Sequence, residues 1–407
     1  MKTPPLEVRF VRLLAQRLHE YGAGAHRLEG AVKTVAQSLK LEVGVFSTPT
    51  SMFLSFRREG AGSDDMLSPT QLLRLKPGED DLGRLCTVDA IGDAVSNAVM
   101  TVQQGWSQLQ NLEHQQRDPI ALVLTAWAVV GMASVGLLGG NWTDIGLGAG
   151  LAILTGIFSM NSSRLAELGS FEPIAAFVVT VLAHLLTSLL GGGNAPLIVV
   201  GALIVLMPGL SLTMAVTELS TGHLASGTAR FAGAVIRLVK LALGVVLATQ
   251  LMTAAGFTDD NSTSGAIPPD WFTWPSILLT AIAFGVLFKA RRPDYPIMGL
   301  AGVLAFSVNG FVGHAWGADV GVFFAALAVA ASSNLYSRIF RMPASVMRLP
   351  GVILLVPGSL GYRSLTLMFS ENVNDGLTAA VSVVTVLAAL VGGLLLGNTV
   401  IPPRRHL

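Results

Sequence analysis

Apolar residues recur at helical spacing near the start of the chain: Val8, Val11, Leu14 and Leu18, then Leu28, Val32, Val35 and Leu39. The turn-like YGAGAH around Gly22 and Gly24 separates the two rows, so two helices are predicted between Leu6 and Leu41. The segments VGVFSTPTSMFLSFRR and QLLRLK are apolar and β-branched, and predict two or three short strands around a Thr-Pro-Thr turn at 48–50. A third helix is predicted from Asp80 to Leu112 on the row Leu82, Leu85, Ile91, Val95 and Val102. Beyond residue 118 polar positions thin out, and apolar runs approach the roughly 20 residues that cross a bilayer. Ten spans are predicted, near 119–138, 145–161, 173–191, 196–217, 233–255, 273–289, 296–312, 319–336, 348–369 and 377–400.

Composition supports that division. The 407 residues are 52% hydrophobic and 13% charged with a mean hydropathy of +0.62, which describes an integral membrane protein and excludes an ordinary soluble enzyme. Of 26 basic and 25 acidic residues, 13 and 14 precede Pro119. The expected order is a cytoplasmic α+β domain (1–118), a five-helix repeat (119–255), an extracytoplasmic loop (256–272) and a second five-helix repeat (273–407). The first 25 residues lack the apolar core of a signal peptide, so the N-terminal part is expected to stay in the cytoplasm. A net charge of +1 without a long basic run gives no argument for nucleic-acid binding. One cysteine, Cys86, excludes an intrachain disulfide and a cysteine metal cluster, and no cofactor or metal is expected.

Basic residues give the orientation, because short cytoplasmic loops hold the Lys and Arg residues. With the N-terminus inside, Arg117, Arg164, Arg230, Lys289, Arg291, Arg292, Arg338, Arg341, Arg348, Arg404 and Arg405 all fall on the cytoplasmic side. The opposite loops hold none, and Arg237 and Lys240 can snorkel. Both termini are therefore expected in the cytoplasm.

Two spans carry a Pro-Gly pair, in LMPGLSLTMAVTEL from Leu206 and LVPGSLGYRSLTLM from Leu355. Placing Pro208 on Pro357 and Gly209 on Gly358 also places Gly227 on Gly376. Two spans earlier, both halves carry Phe-Ser-x-Asn: Phe158, Ser159 and Asn161, then Phe306, Ser307 and Asn309. Five spans is an odd number, so a second copy enters the membrane from the other side. Inverted repeats with interrupted helices are the architecture of many secondary transporters, whose sites lie at the breaks. Proline removes an amide donor and glycine lets the backbone turn, which is tolerated at membrane depth only inside protein or beside a cavity.

The combination of YGxxAHRLE, VFSTPTSMFLSF, MPGLSLTMAVTELSTGHLASGTAR and LVPGSLGYRSL resembles the threonine/serine exporter family, along essentially the whole chain. The resemblance implies a fused form, with the soluble domain and first five spans as one family half and the last five as the other. It also implies proton-driven efflux of small hydroxylated amino acids, with dicarboxylate export as the alternative. The second half departs from the first where Gly361, Tyr362 and Arg363 replace Leu212, Thr213 and Met214, so a symmetric site is in doubt.

Candidate substrate-binding residues are Pro208, Gly209, Ser211, Thr213, Pro357, Gly358, Tyr362, Arg363, Ser159, Asn161, Ser307 and Asn309. Arg363 suits a bidentate contact with a substrate carboxylate, or else snorkels or pairs with Glu371. The serines and asparagines suit a zwitterion, or else bond neighbouring helices. Glu218 and His184 are candidates for proton coupling; the alternatives are a solvated helix-end carboxylate and a neutral, hydrogen-bonded histidine. Asn194, Asn334 and His314 have no repeat partner. In the soluble domain His26, Arg27, Glu29, Ser47, Thr48 and Thr50 could suggest a hydrolase, yet no nucleophile elbow, phosphate loop or metal spacing accompanies them. A regulatory or docking module is the expectation there. The expected partners are a small-molecule solute, protons and lipid, with no nucleic acid, and a homo-oligomer is compatible with them.

Overall fold

The computed structural model describes residues 4–60, 66–78, 80–112, 118–161, 165, 167–257, 265–356 and 373–403. The N-terminal α+β part opens with helices α1 (Leu6–Glu20) and α2 (Ala25–Ser38), followed by strands β1 (Leu41–Thr48), β2 (Ser51–Arg58) and β3 (Met66–Arg74). The strands form one antiparallel sheet in the order β1-β2-β3, with Thr48 opposite Ser51 across the tight turn at Pro49 and Thr50. Alternation decides which face is covered: Met52, Leu54 and Phe56 are buried against Phe10, Leu14 and Val32 of the helices, while Phe53 points outward beside Phe46. Each such buried side chain contributes about 1.5–3 kcal/mol, so this small layer carries its own core.

The predicted helix over 80–112 is two helices, α3 (Leu82–Ser96) and α4 (Val102–Asn111). The break follows from local chemistry the apolar row did not reveal. Thr101 accepts a hydrogen bond from the Gln104 amide while Gln104 reaches back to the Thr101 N–H, a reciprocal cap that starts a new helix there.

The apolar part contains α5 (Ile120–Leu137), α6 (Trp142–Asn161), α7 (Phe171–Leu189), α8 (Ala195–Leu203), α9 (Gly209–Ser220) and α10 (Leu224–Ala254). It continues with α11 (Thr273–Leu287), α12 (Tyr295–Trp316), α13 (Ala318–Phe340), α14 (Ser345–Ile353) and α15 (Val373–Val400). Among the described residues 8 helices are long and apolar enough to cross a membrane, and α8 with α9 form a ninth, bent by 53°. The expected tenth, near 348–369, is described only as far as Val356, so Pro357, Gly358, Tyr362 and Arg363 lie outside the described residues.

Helix pairings correspond between the two halves. α5 packs on α6 as α11 does on α12, α7 on α10 as α13 on α15, and α8 on α6 and α7 as α14 on α12 and α13. Small residues permit the α7–α10 and α13–α15 approaches. A Cβ at Gly244 would overlap the Pro173 carbonyl, and one at Gly393 would overlap the Phe323 carbonyl. Gly244 and Gly393 are related by the same offset that places Pro208 on Pro357. On the other side of α10, Leu243, Leu247 and Leu251 form an exposed apolar row at every fourth residue, as lipid contact requires.

Candidate functional site

The site begins at the broken span. Pro208 cannot donate to the carbonyl of Ile204, so Ile204 accepts from Met207 in a tighter turn, and a new helix starts at Gly209. The turn redirects α9, and its residues Leu210, Thr213, Met214 and Thr217 share one face with Thr221 just beyond its end. That face walls a partly open cavity of about 130 Å³. The remaining walls come from the α1–α2 turn, α3, α14 and the end of α15, so the cavity lies between the N-terminal α+β part and the apolar helices. Its size is comparable with the ~150 Å³ cavity that takes up benzene.

Two guanidinium groups face it. Arg27, on α2, is surrounded by protein yet keeps some accessible surface, which faces the cavity it lines. Enclosure pulls its pKa below the ordinary arginine value, and the Asp89 carboxylate on α3 pulls the other way. Arg348, on α14, donates from Nε to Ser333 Oγ (3.2 Å) and from Nη2 to Asn334 Oδ1 (2.7 Å) and Asn398 Oδ1 (2.9 Å). These acceptors orient the group without neutralising it. His26 beside them is pushed down to about 3 by burial and by the Arg27 charge, so it is neutral at physiological pH.

Docking of the soluble domain closes the cavity. Glu218, at the end of α9, is fully buried and accepts four hydrogen bonds. They come from the Ala25 N–H (3.0 Å), the Ser226 hydroxyl (2.8 Å) and Arg230 Nε and Nη2 (3.2 Å each). The expected solvated carboxylate is thus a buried ion pair that satisfies the first turn of α2. Gly24 lies so close that a Cβ there would meet Met214 Cε at 2.7 Å. A second contact joins the Leu82 and Gly83 N–H groups of α3 to the Phe288 and Lys289 carbonyls after α11. Glu29 accepts from the Ser47 N–H and lies 3.7 Å from His223, so it ties β1 to the start of α10.

Of the predicted substrate residues, the structure brings Thr213 to the cavity, with its hydroxyl donating to the Gly209 carbonyl. Pro208 and Gly209 make the bend without lining the cavity, and Ser211 lies off the lining face. The Phe-Ser-x-Asn residues lie elsewhere. Ser159 and Asn161 are exposed at the end of α6, with the Asn161 amide donating to the Ile157 carbonyl. Ser307 donates to the Val303 carbonyl, and Asn309 lies against Gly321 of α13. His184 is buried in α7 and its Nδ1 is 2.9 Å from the Thr180 carbonyl, within its own helix. Asn194 caps α8 by accepting from the Leu197 N–H, and His314 is exposed. Thr48 bonds Ser51 in the hairpin and Thr50 is exposed in its turn, so the hydroxyls do not join His26 in a hydrolase constellation.

A family profile described as "Putative threonine/serine exporter" matches residues 9–252, and a second, "Threonine/Serine exporter, ThrE", matches 276–400. The chain belongs to the threonine/serine exporter family. As the resemblance implied, both family parts are present in one polypeptide. Among curated relatives, pheromone-regulated membrane protein 10 of Kluyveromyces lactis is 26% identical over 90% of this chain and 39% of its own length. The protein of that name from Candida albicans (strain SC5314) is 26% identical over 91% of this chain and 34% of its own length. An uncharacterized protein of Schizosaccharomyces pombe is 23% identical over 86% of this chain and 43% of its own length. The chain therefore spans less than half the length of these relatives. No solved structure matches it.

Sequence reasoning missed the pair that dominates the cavity of this exporter-family chain. Arg27 was noticed only beside His26 and Glu29, and Arg348 only as a cytoplasmic-side positive charge. Asp144 also passed unnoticed. It is fully buried at the start of α6, accepts from the Asn141 and Asn194 N–H groups, and ties two loops together. An acidic residue three places after an asparagine was the available signal.

Proposed function

We propose that the chain is a secondary active transporter that exports small amino acids of the threonine/serine type across the cytoplasmic membrane. In this reading the ten spans are two inverted five-helix repeats with both termini inside, and export proceeds by alternating access coupled to inward protons. The observation that carries it is the span broken at Pro208, whose second segment walls a cavity. A break of this kind is tolerated in lipid when it serves a cavity, and transporter sites are built there. Corresponding helix pairings and the matched glycines Gly244 and Gly393 support a repeat. Glu218 and His184 are the proton-coupling candidates, Glu218 through its place between α9 and the soluble domain. Arg363, Tyr362, Pro357 and Gly358 stay as proposed contacts of the second half.

A second solute class, dicarboxylates such as succinate, is favoured by one observation: two guanidinium groups face one cavity. The test for both is transport by purified protein in liposomes, with and without an imposed pH gradient, against a panel of amino acids and dicarboxylates. Saturable, gradient-dependent movement of a small hydroxylated amino acid is expected. If none of the panel moves, the transport reading fails; movement that neither saturates nor responds to the gradient makes the protein a channel.

A further inference from the structure

Two guanidinium groups line a largely apolar cavity. An enclosed guanidinium costs several kcal/mol unless a carboxylate or a full set of hydrogen bonds offsets it. Arg348 has neutral oxygens on two of its nitrogens and, among the described residues, no carboxylate partner. Arg27 donates no hydrogen bond to any described residue, although a guanidinium carries five N–H donors. Two carboxylates line the same cavity: buried Asp89, which acts on Arg27, and Asp80, which is exposed at the rim. A compact anion with two oxygens suits the N–H donors of the two guanidinium groups that line the cavity.

We propose that this cavity is a carboxylate-binding site in which Arg27 of the soluble domain and Arg348 of the membrane domain jointly receive the carboxylate of the solute. Because Arg27 stands on α2, the soluble domain supplies part of the substrate site rather than only flanking the transporter. The site takes a carboxylate-bearing solute of roughly benzene's size. Leu210, Met214, Leu349 and Val352 meet its apolar part, and the Thr213 and Thr217 hydroxyls are placed for a polar substituent. A planar guanidinium pairs a carboxylate through two parallel N–H donors, which lysine cannot reproduce. This inference deepens the transport reading by naming the site, and it can fail separately from it.

The experiment measures equilibrium binding to the purified full chain for two matched pairs, threonine against threoninamide and succinate against succinamate. Transport of the same compounds is followed in liposomes. Wild type is expected to bind at least one carboxylate about tenfold or more tighter than its amide, the range of a charge-assisted hydrogen bond. Arg27→Gln is expected to abolish that preference, and Arg27→Lys to restore it only in part. Arg27→Gln also removes the positive charge beside buried Asp89, so its ligand-free melting temperature is read against that of Arg27→Lys, which keeps the charge. A merely structural arginine would lower the melting temperature and leave the preference intact. Equal binding of acid and amide by wild type overturns the site even if transport occurs. Carboxylate binding that depends on Arg27 without any transport supports the site and overturns the transport reading. Absence of carboxylate binding overturns the site outright.

Discussion

Replacing Glu218 by alanine tests how the soluble domain is held. The change removes a fully buried carboxylate and its four hydrogen bonds, leaving the Ala25 N–H and the Ser226 hydroxyl without their acceptor. Breaking a buried ion pair by removing one partner costs about 3–5 kcal/mol. Arg230 retains 25% of its side-chain exposure, so part of its charge is recovered by water and the lower end applies, about 3 kcal/mol. Glu218→Gln keeps one acceptor oxygen, enough for either the Ala25 N–H or the Ser226 hydroxyl, and loses the charge, so it should cost less than the alanine change but remain destabilising. The assay is unfolding in detergent micelles of both single variants, Arg230→Ala, and the Glu218→Ala/Arg230→Ala double variant. A coupling energy of at least about 1 kcal/mol is expected between 218 and 230, as for contacting residues in one network. Additive effects with no coupling, or a loss below about 0.5 kcal/mol for Glu218→Ala, would refute the latch.

Three further outcomes follow from the packing. Gly244→Ala forces a methyl group onto the Pro173 carbonyl and should cost about 1–3 kcal/mol, whereas Gly233→Ala, with open space around it, should be neutral or slightly stabilising; melting in micelles separates them. His26 titrates near 3 when folded and 6.5 when unfolded, so below about pH 6.5 the unfolded chain binds the extra proton. Stability should therefore fall by up to about 1.4 kcal/mol per pH unit on acidification, and His26→Asn should flatten that slope; melting at pH 7 and pH 5 measures it. The Cys86 thiol is buried and pushed up to about 12, so maleimide at pH 7.5 should leave it unlabelled until the protein unfolds.

Periodicity carried most of the architecture because lipid and a small core impose simple rules. The rows Val8–Leu18 and Leu28–Leu39 became α1 and α2, the VGVFSTPTSMFLSF segment became a hairpin, and among the described residues eight of the ten apolar runs became helices of membrane length. The helix over 80–112 was overcalled because a capping box, rather than a lapse in the apolar row, divides it. Pro208 announced the bend, since a missing amide is a property of one residue.

The site was legible only in fragments. Thr213 was found through the bend, but Arg27 and Arg348 are far apart in sequence, and each alone looks like an ordinary cytoplasmic-side charge. What sequence by itself determined is the membrane character, the N-terminal α+β head and the place of the break, all set by local hydrophobicity and backbone chemistry. What only the tertiary structure decided is that the head docks on α9 through Glu218 and brings Arg27 to the cavity Arg348 also lines. A charge's meaning depends on what surrounds it, and enclosure is a property of the whole fold.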